Sequence, residues 1–131
     1  MVIDASAIIA ILKEEPGYEV LRDAIIADPD PKMSAVTAVE LHIVMTTGLE
    51  FAPDAVRGVL RTLGIRLIPF DEPQSRIASR AHDTYGRRAI SPAKLNFGDC
   101  LTYALAAHLG EPLLFVGNDF THTDIVATVG A

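Results

Sequence analysis

The chain opens Met1-Val2-Ile3-Asp4-Ala5-Ser6-Ala7-Ile8-Ile9-Ala10-Ile11-Leu12-Lys13-Glu14-Glu15-Pro16-Gly17. Apolar residues that stop abruptly at an acid read as a short buried strand. The spacing of Ile8, Ile9, Ile11 and Leu12 predicts a helix over residues 6–15, which Pro16-Gly17 ends. A strand feeding directly into a helix is the first half of a strand–helix–strand unit, and the rest of the chain continues the alternation.

Val20, Leu21, Ala24 and Ile25 mark a second helix that stops at Asp28-Pro29-Asp30-Pro31. A short extended piece around Lys32-Met33 leads into an apolar helix over residues 36–47, closed by Gly48. Pro53 opens the next helix, whose buried face carries Val56, Val59, Leu60 and Leu63 and which Gly64 ends. Residues 65–69 read as a strand, 73–85 as a helix, 96–109 as a helix closed by Gly110, and 112–116 as an apolar strand. Residues 125–129 are expected to add a last strand. The best strands are continuous apolar runs, the pattern of strands buried on both faces. The expected fold is α/β: one domain over residues 1–131 with a central parallel sheet flanked by helices on both faces.

Composition narrows the class. Of 131 residues, 50% are hydrophobic, enough for one sizeable core. The lone cysteine, Cys100, allows no internal disulfide or thiolate cluster and suits a reducing cytoplasm. Asp4 interrupts the opening apolar residues, so no secretory leader is expected, and no uncharged run nears the roughly 18 residues of a membrane span. Seventeen acids against 11 lysines and arginines leave a net charge of −6, the wrong sign for holding nucleic acid by bulk electrostatics. That objection lifts only if several acids form one cation-binding site and basic side chains elsewhere meet the phosphates.

Asp4 and Asp119 each follow an apolar strand run, and ligands of open α/β sheets bind beyond the carboxyl ends of strands. Glu40 and Asp99 fall early in helices that start from that same edge. Four converging carboxylates would suit a hard divalent cation such as Mg²⁺, which activates water and neutralises charge on a phosphoryl oxygen. Hydrolysis of a phosphodiester is the matching reaction. Each acid also has a plainer role. Thr37-x-x-Glu40 fits a capping box, Asn96-x-x-Asp99 a helix start, Asp119 after Asn118 a turn, and Asp4 an N-cap. Spacing alone does not bring the four together.

Val2-Ile3-Asp4-Ala5-Ser6-Ala7, Val39-Glu40-Leu41, Asn96-Phe97-Gly98-Asp99-Cys100 and Gly117-Asn118-Asp119-Phe120 occur in this order along the chain. The ordered set resembles the PIN-domain family and, more narrowly, the VapC toxins of VapBC toxin–antitoxin modules, over essentially the whole length. The resemblance implies an endoribonuclease in which Asp4, Glu40, Asp99 and Asp119 hold Mg²⁺ or Mn²⁺, with the Ser6 hydroxyl supporting the site. It further implies an RNA substrate, a VapB-type antitoxin and a homodimer, and it places Asn118 and Asp124 beside the acids.

Arg87, Arg88 and Lys94 are the candidates for RNA phosphates, in the most basic loop of the chain and just ahead of Asp99. Three tyrosines, five phenylalanines and no tryptophan do not make an extended stacking platform, so recognition by backbone shape is expected. A receiver-type phosphoacceptor is set aside because Asp4 stands alone and no lysine follows Lys94. A haloacid-dehalogenase-like phosphatase is set aside because Ser6 occupies the place of its second acid. The alternative that stays open is a catalytically inert PIN-fold binding module.

Overall fold

The computed structural model of the chain describes residues 1–128. In chain order the elements are β1 (Val2–Ile3), α1 (Ala5–Leu12), α2 (Tyr18–Ala27), β2 (Lys32–Ser34), α3 (Ala35–Ile43), α4 (Ala55–Thr62), β3 (Arg66–Ile68), α5 (Glu72–Tyr85), α6 (Phe97–Leu109) and β4 (Leu113–Leu114). The strands form one parallel sheet in the order β3-β2-β1-β4. β1 therefore sits inside the sheet, paired through Val2 with Lys32 on one side and Leu113 on the other.

Successive strand residues point to opposite faces, and each face has its own helices. Ile3, Met33 and Leu114 pack with Ile8, Leu21, Ile25, Leu41 and Leu60 from α1–α4. Val2, Leu113 and Phe115 pack with Ala78, Ala81, Tyr103 and Leu105 from α5 and α6. The expected parallel sheet covered on both faces is the sheet observed.

Two local expectations change. The helix expected over residues 36–47 is regular only through Ile43 and continues as a wider turn over Val44–Gly48, where Leu49 N–H reaches Val44 O at 3.2 Å. Thr46 and Thr47 donate their hydroxyls to the carbonyls of His42 and Ile43, which competes with ordinary helical bonding there. In place of a strand over 125–129, Leu113 forms a single parallel bridge with Ala127, Leu113 N–H bonding Val126 O and Thr128 N–H bonding Leu113 O. Val129 lies outside the described residues.

The two edges of the sheet differ in charge. At the edge where the strands begin, Lys32 is buried and its Nζ lies 2.7 Å from Glu111 Oε1, while Arg66 makes two hydrogen bonds to the Asp30 carboxylate. Hydrogen bonds from Arg66 and Lys32 hold Asp30 down at about 2. Acids at this end are matched by cations.

Candidate metal centre

Asp4 leaves β1 at the opposite edge and is 7% exposed. It caps α1, its Oδ2 accepting Ser6 N–H at 3.1 Å, and its Oδ1 accepts the Thr102 hydroxyl of α6 at 2.9 Å. Thr102 has one hydroxyl hydrogen, so Thr37 of α3 donates in the 3.1 Å contact between the two threonines. The chain Thr37–Thr102–Asp4 thus ties α3, α6 and β1 together under the site. Thr37-x-x-Glu40 is accordingly not a capping box: the residue before α3 is Ser34, and the Thr37 hydroxyl is spent on Thr102.

Asp99 forms the capping box with Asn96, Asn96 N–H reaching Asp99 Oδ2 at 2.9 Å and Asp99 N–H reaching Asn96 Oδ1 at 2.8 Å. The cap uses one carboxylate oxygen and holds the side chain facing the other acids. Burial pushes Asp99 up to about 6 against the lowering effect of the Asn96 N–H, and the carboxylates of Asp119, Asp4 and Glu40 push in the same direction as burial. Glu40 is raised too, by burial and then by Asp4. Its residue surface is exposed, yet its carboxylate end turns in against α6, where a Cβ on Gly98 would collide with Oε2. The burial that matters is that of the charged end.

Asp119 is exposed on the loop after β4, which turns at Gly117 with φ of +101°. The next residue, Phe120, is buried and meets Phe115 edge to face with ring centroids 5.1 Å apart, so the loop is pinned beside the acid. Ser6 Oγ accepts Val116 N–H at 3.0 Å and fastens the end of β4 to the start of α1. Asn118 is exposed next to Asp119.

Asp124 is elsewhere. Its Oδ1 accepts the Tyr103 hydroxyl at 2.6 Å, and it lines a hollow with Arg80 and Tyr85 between α5 and α6. The bond fastens the Asp119 loop to α6 one turn beyond Asp99. Lys94 is occupied as well. With φ of +57° it folds back so that Nζ donates to the carbonyls of Ala89 at 3.0 Å and Arg87 at 3.4 Å, closing the loop on itself. Arg87 and Arg88 remain exposed along a hollow of about 790 Å³ with Asn96 and Phe97.

Sequence reasoning passed over Thr102, read Thr37 only as a helix cap, and gave Gly98 no role of its own. A signal existed for the threonines, each being three residues from an acid on its own helix and so on the same face: Thr37 with Glu40, Thr102 with Asp99.

The donor set is all carboxylate oxygen, which fits a hard cation and not a soft one. Among the described residues no three His, Cys, Asp or Glu side chains are already gathered as a chelate. Of the four acids, Glu40 and Asp119 are the exposed pair and Asp4 and Asp99 the buried pair. The acids here face one another rather than the cations that neutralise the far edge, and a divalent ion would supply the missing positive charge.

A profile of the PIN domain matches residues 1–126. Ribonuclease VapC42 of Mycobacterium tuberculosis is 46% identical over 128 residues, which span 95% of this chain and 96% of that protein. Among solved structures, M. tuberculosis VapC20, a sarcin–ricin-loop-cleaving toxin, superposes with a TM-score of 0.75 at 14% identity over 97% of each chain. A toxin–antitoxin complex from Klebsiella pneumoniae superposes with a TM-score of 0.74 at 17% identity, covering 97% of this chain and 95% of that one. The strand-end acids, the parallel sheet and a likeness to VapC42 over nearly full length agree, and the chain belongs to the PIN-domain family, in its VapC branch.

Proposed function

We propose that the chain is a metal-dependent endoribonuclease, the toxin of a type II toxin–antitoxin module, with Asp4, Glu40, Asp99 and Asp119 as its catalytic carboxylates. The observation that carries this reading is the upward push on Asp99 by burial and three other carboxylates, at an edge where no cation among the described residues lowers it. The likeness to a named VapC ribonuclease at 46% identity supports the activity, and the likeness in fold to a toxin–antitoxin complex supports an antitoxin of the VapB type as partner. We assign Mg²⁺, with Mn²⁺ as substitute, from the all-oxygen donors. A homodimer and a cytoplasmic location complete the reading. No helix among the described residues is long and apolar enough to cross a membrane.

When bound, the cation neutralises charge on the phosphoryl group and lowers the pKa of water at the site. The chain supplies the rest. Asp4 is held rigid by Ser6 N–H and the Thr102 hydroxyl, and Asp99 by its capping box, so the two buried acids are placed before substrate arrives. Glu40 and Asp119, both exposed, complete the carboxylate set. Arg87 and Arg88 orient the RNA by its phosphates. Ser6 and Asn118 steady the strand ends that carry Asp4 and Asp119, and Asp124 does so from a distance through Tyr103.

Incubating the purified protein with a mixed RNA pool tests this, in Mg²⁺, in EDTA, and with Asp4→Asn in place of the native chain. Cleavage that requires both the ion and Asp4 is expected, because the amide removes charge and preserves shape. Undiminished cleavage by Asp4→Asn would overturn the assignment. Absence of cleavage from folded, antitoxin-free protein that also fails to bind Mg²⁺ would favour the inert binding module.

A further inference from the structure

Phe97, the first residue of α6, is 80% exposed, although its neighbours Leu95, Asp99 and Cys100 are all buried. Nothing in the core explains a bare aromatic ring here. Phe97 borders two hollows. One, of about 450 Å³, is mostly apolar, with Val39, Ile43 and Leu101 beside Glu40 and Gly98; the other, of about 790 Å³, carries Arg87 and Arg88 together with Asp83. The ring therefore stands on the ridge between an acid of the metal centre and two free guanidinium groups, two residues from Asp99 in sequence.

We propose that Phe97 is the stacking contact for one unpaired base of single-stranded RNA, placing a nucleoside next to the scissile phosphate while Arg87 and Arg88 hold the phosphates beyond it. The inference rests on the ribonuclease reading. It adds a residue that requires an unpaired base at the cut and so selects single strands over duplex. An aromatic ring accepts any base face, and guanidinium groups accept phosphate without regard to sequence, so this subsite discriminates by strandedness. Arg87 and Arg88 on one side of the ridge favour a polyanion there, and Val39 and Ile43 on the other offer an apolar wall against which a base can lie. One exposed ring suffices; no extended platform is needed.

The test measures binding of a labelled short single-stranded RNA and of a duplex hairpin by the cleavage-deficient Asp99→Asn protein in Mg²⁺, with and without Phe97→Leu or Phe97→Tyr. Leucine keeps apolar bulk and removes the ring; tyrosine keeps the ring. Phe97→Leu should weaken single-strand binding about tenfold, leave the hairpin's affinity unchanged, and be rescued by Phe97→Tyr. In the otherwise native enzyme, Phe97→Leu should raise KM more than it changes kcat. Equal RNA affinity for Leu and Phe, or no RNA binding by any form, would overturn the proposal. Equal RNA affinity with loss of self-association on sedimentation would overturn it too, by assigning the ring to a protein contact. Phe97-dependent RNA binding without cleavage by the native chain would sink the nuclease reading alone.

Discussion

Asp99→Asn is expected to make the metal-free protein more stable and the enzyme inactive. Asp99 is 9% exposed, and burial with three facing carboxylates moves its pKa from the usual 3.8 up to about 6. A displacement of that size corresponds to about 3 kcal/mol against the folded state once the group is ionised in both states. The amide oxygen still accepts Asn96 N–H but loses the charge assistance in that bond, so a net gain of about 1–3 kcal/mol is expected. Because the folded pKa lies above the unfolded one, the folded state binds this proton more tightly and the native protein loses stability as pH rises. The loss begins near pH 4, accumulates up to about pH 6 and is complete above it. In EDTA at neutral pH the variant should melt roughly 3–10 °C above the native protein, the gap closing as pH falls towards about 4. Mg²⁺ should raise the native melting temperature and leave the variant's nearly unchanged. The assay is a thermal melt followed by circular dichroism across pH, with and without Mg²⁺, beside an RNA cleavage assay. A variant that melts below the native protein in EDTA at neutral pH, or a gap that ignores pH, would refute the crowding of carboxylates on which the site is argued.

Gly98→Ala should favour helix α6 by up to about 1 kcal/mol while cutting RNA cleavage, because the new Cβ displaces the Glu40 carboxylate; paired melting and cleavage assays read the opposite signs. Thr102→Val removes the hydroxyl donor to Asp4 and leaves Thr37 facing a methyl, so a loss of about 1–2 kcal/mol and weaker Mg²⁺ binding by calorimetry are expected. Tyr103→Phe frees Asp124 and loosens the loop that carries Asp119. It should cost about 1 kcal/mol of stability, lower kcat, and speed amide exchange in the loop.

The sequence by itself determined the α/β class and the positions of the acids along the chain. Continuous apolar runs at 1–3 and 112–116 are buried because strands covered on both faces admit no polar alternation, and each run ends at or shortly before an acid because the chain there leaves the sheet edge. Local pattern also located the α6 start, since Asn96-x-x-Asp99 is a capping box that bonds within four residues. Only the tertiary structure decided which acids lie near one another. The parallel order β3-β2-β1-β4 stacks all strand ends on one side, so Asp4 meets a threonine 98 positions away. The same folding divides the charges, pairing Asp30 and Glu111 with Arg66 and Lys32 at one edge and leaving Asp4, Glu40, Asp99 and Asp119 to repel one another at the other. Asp124 and Lys94 look available in the sequence because nothing local uses them, yet a tyrosine of α6 and two carbonyls of the loop claim them. Hydrogen bonds between distant residues follow from the packing of the elements that carry them, and one-dimensional spacing holds no record of that packing.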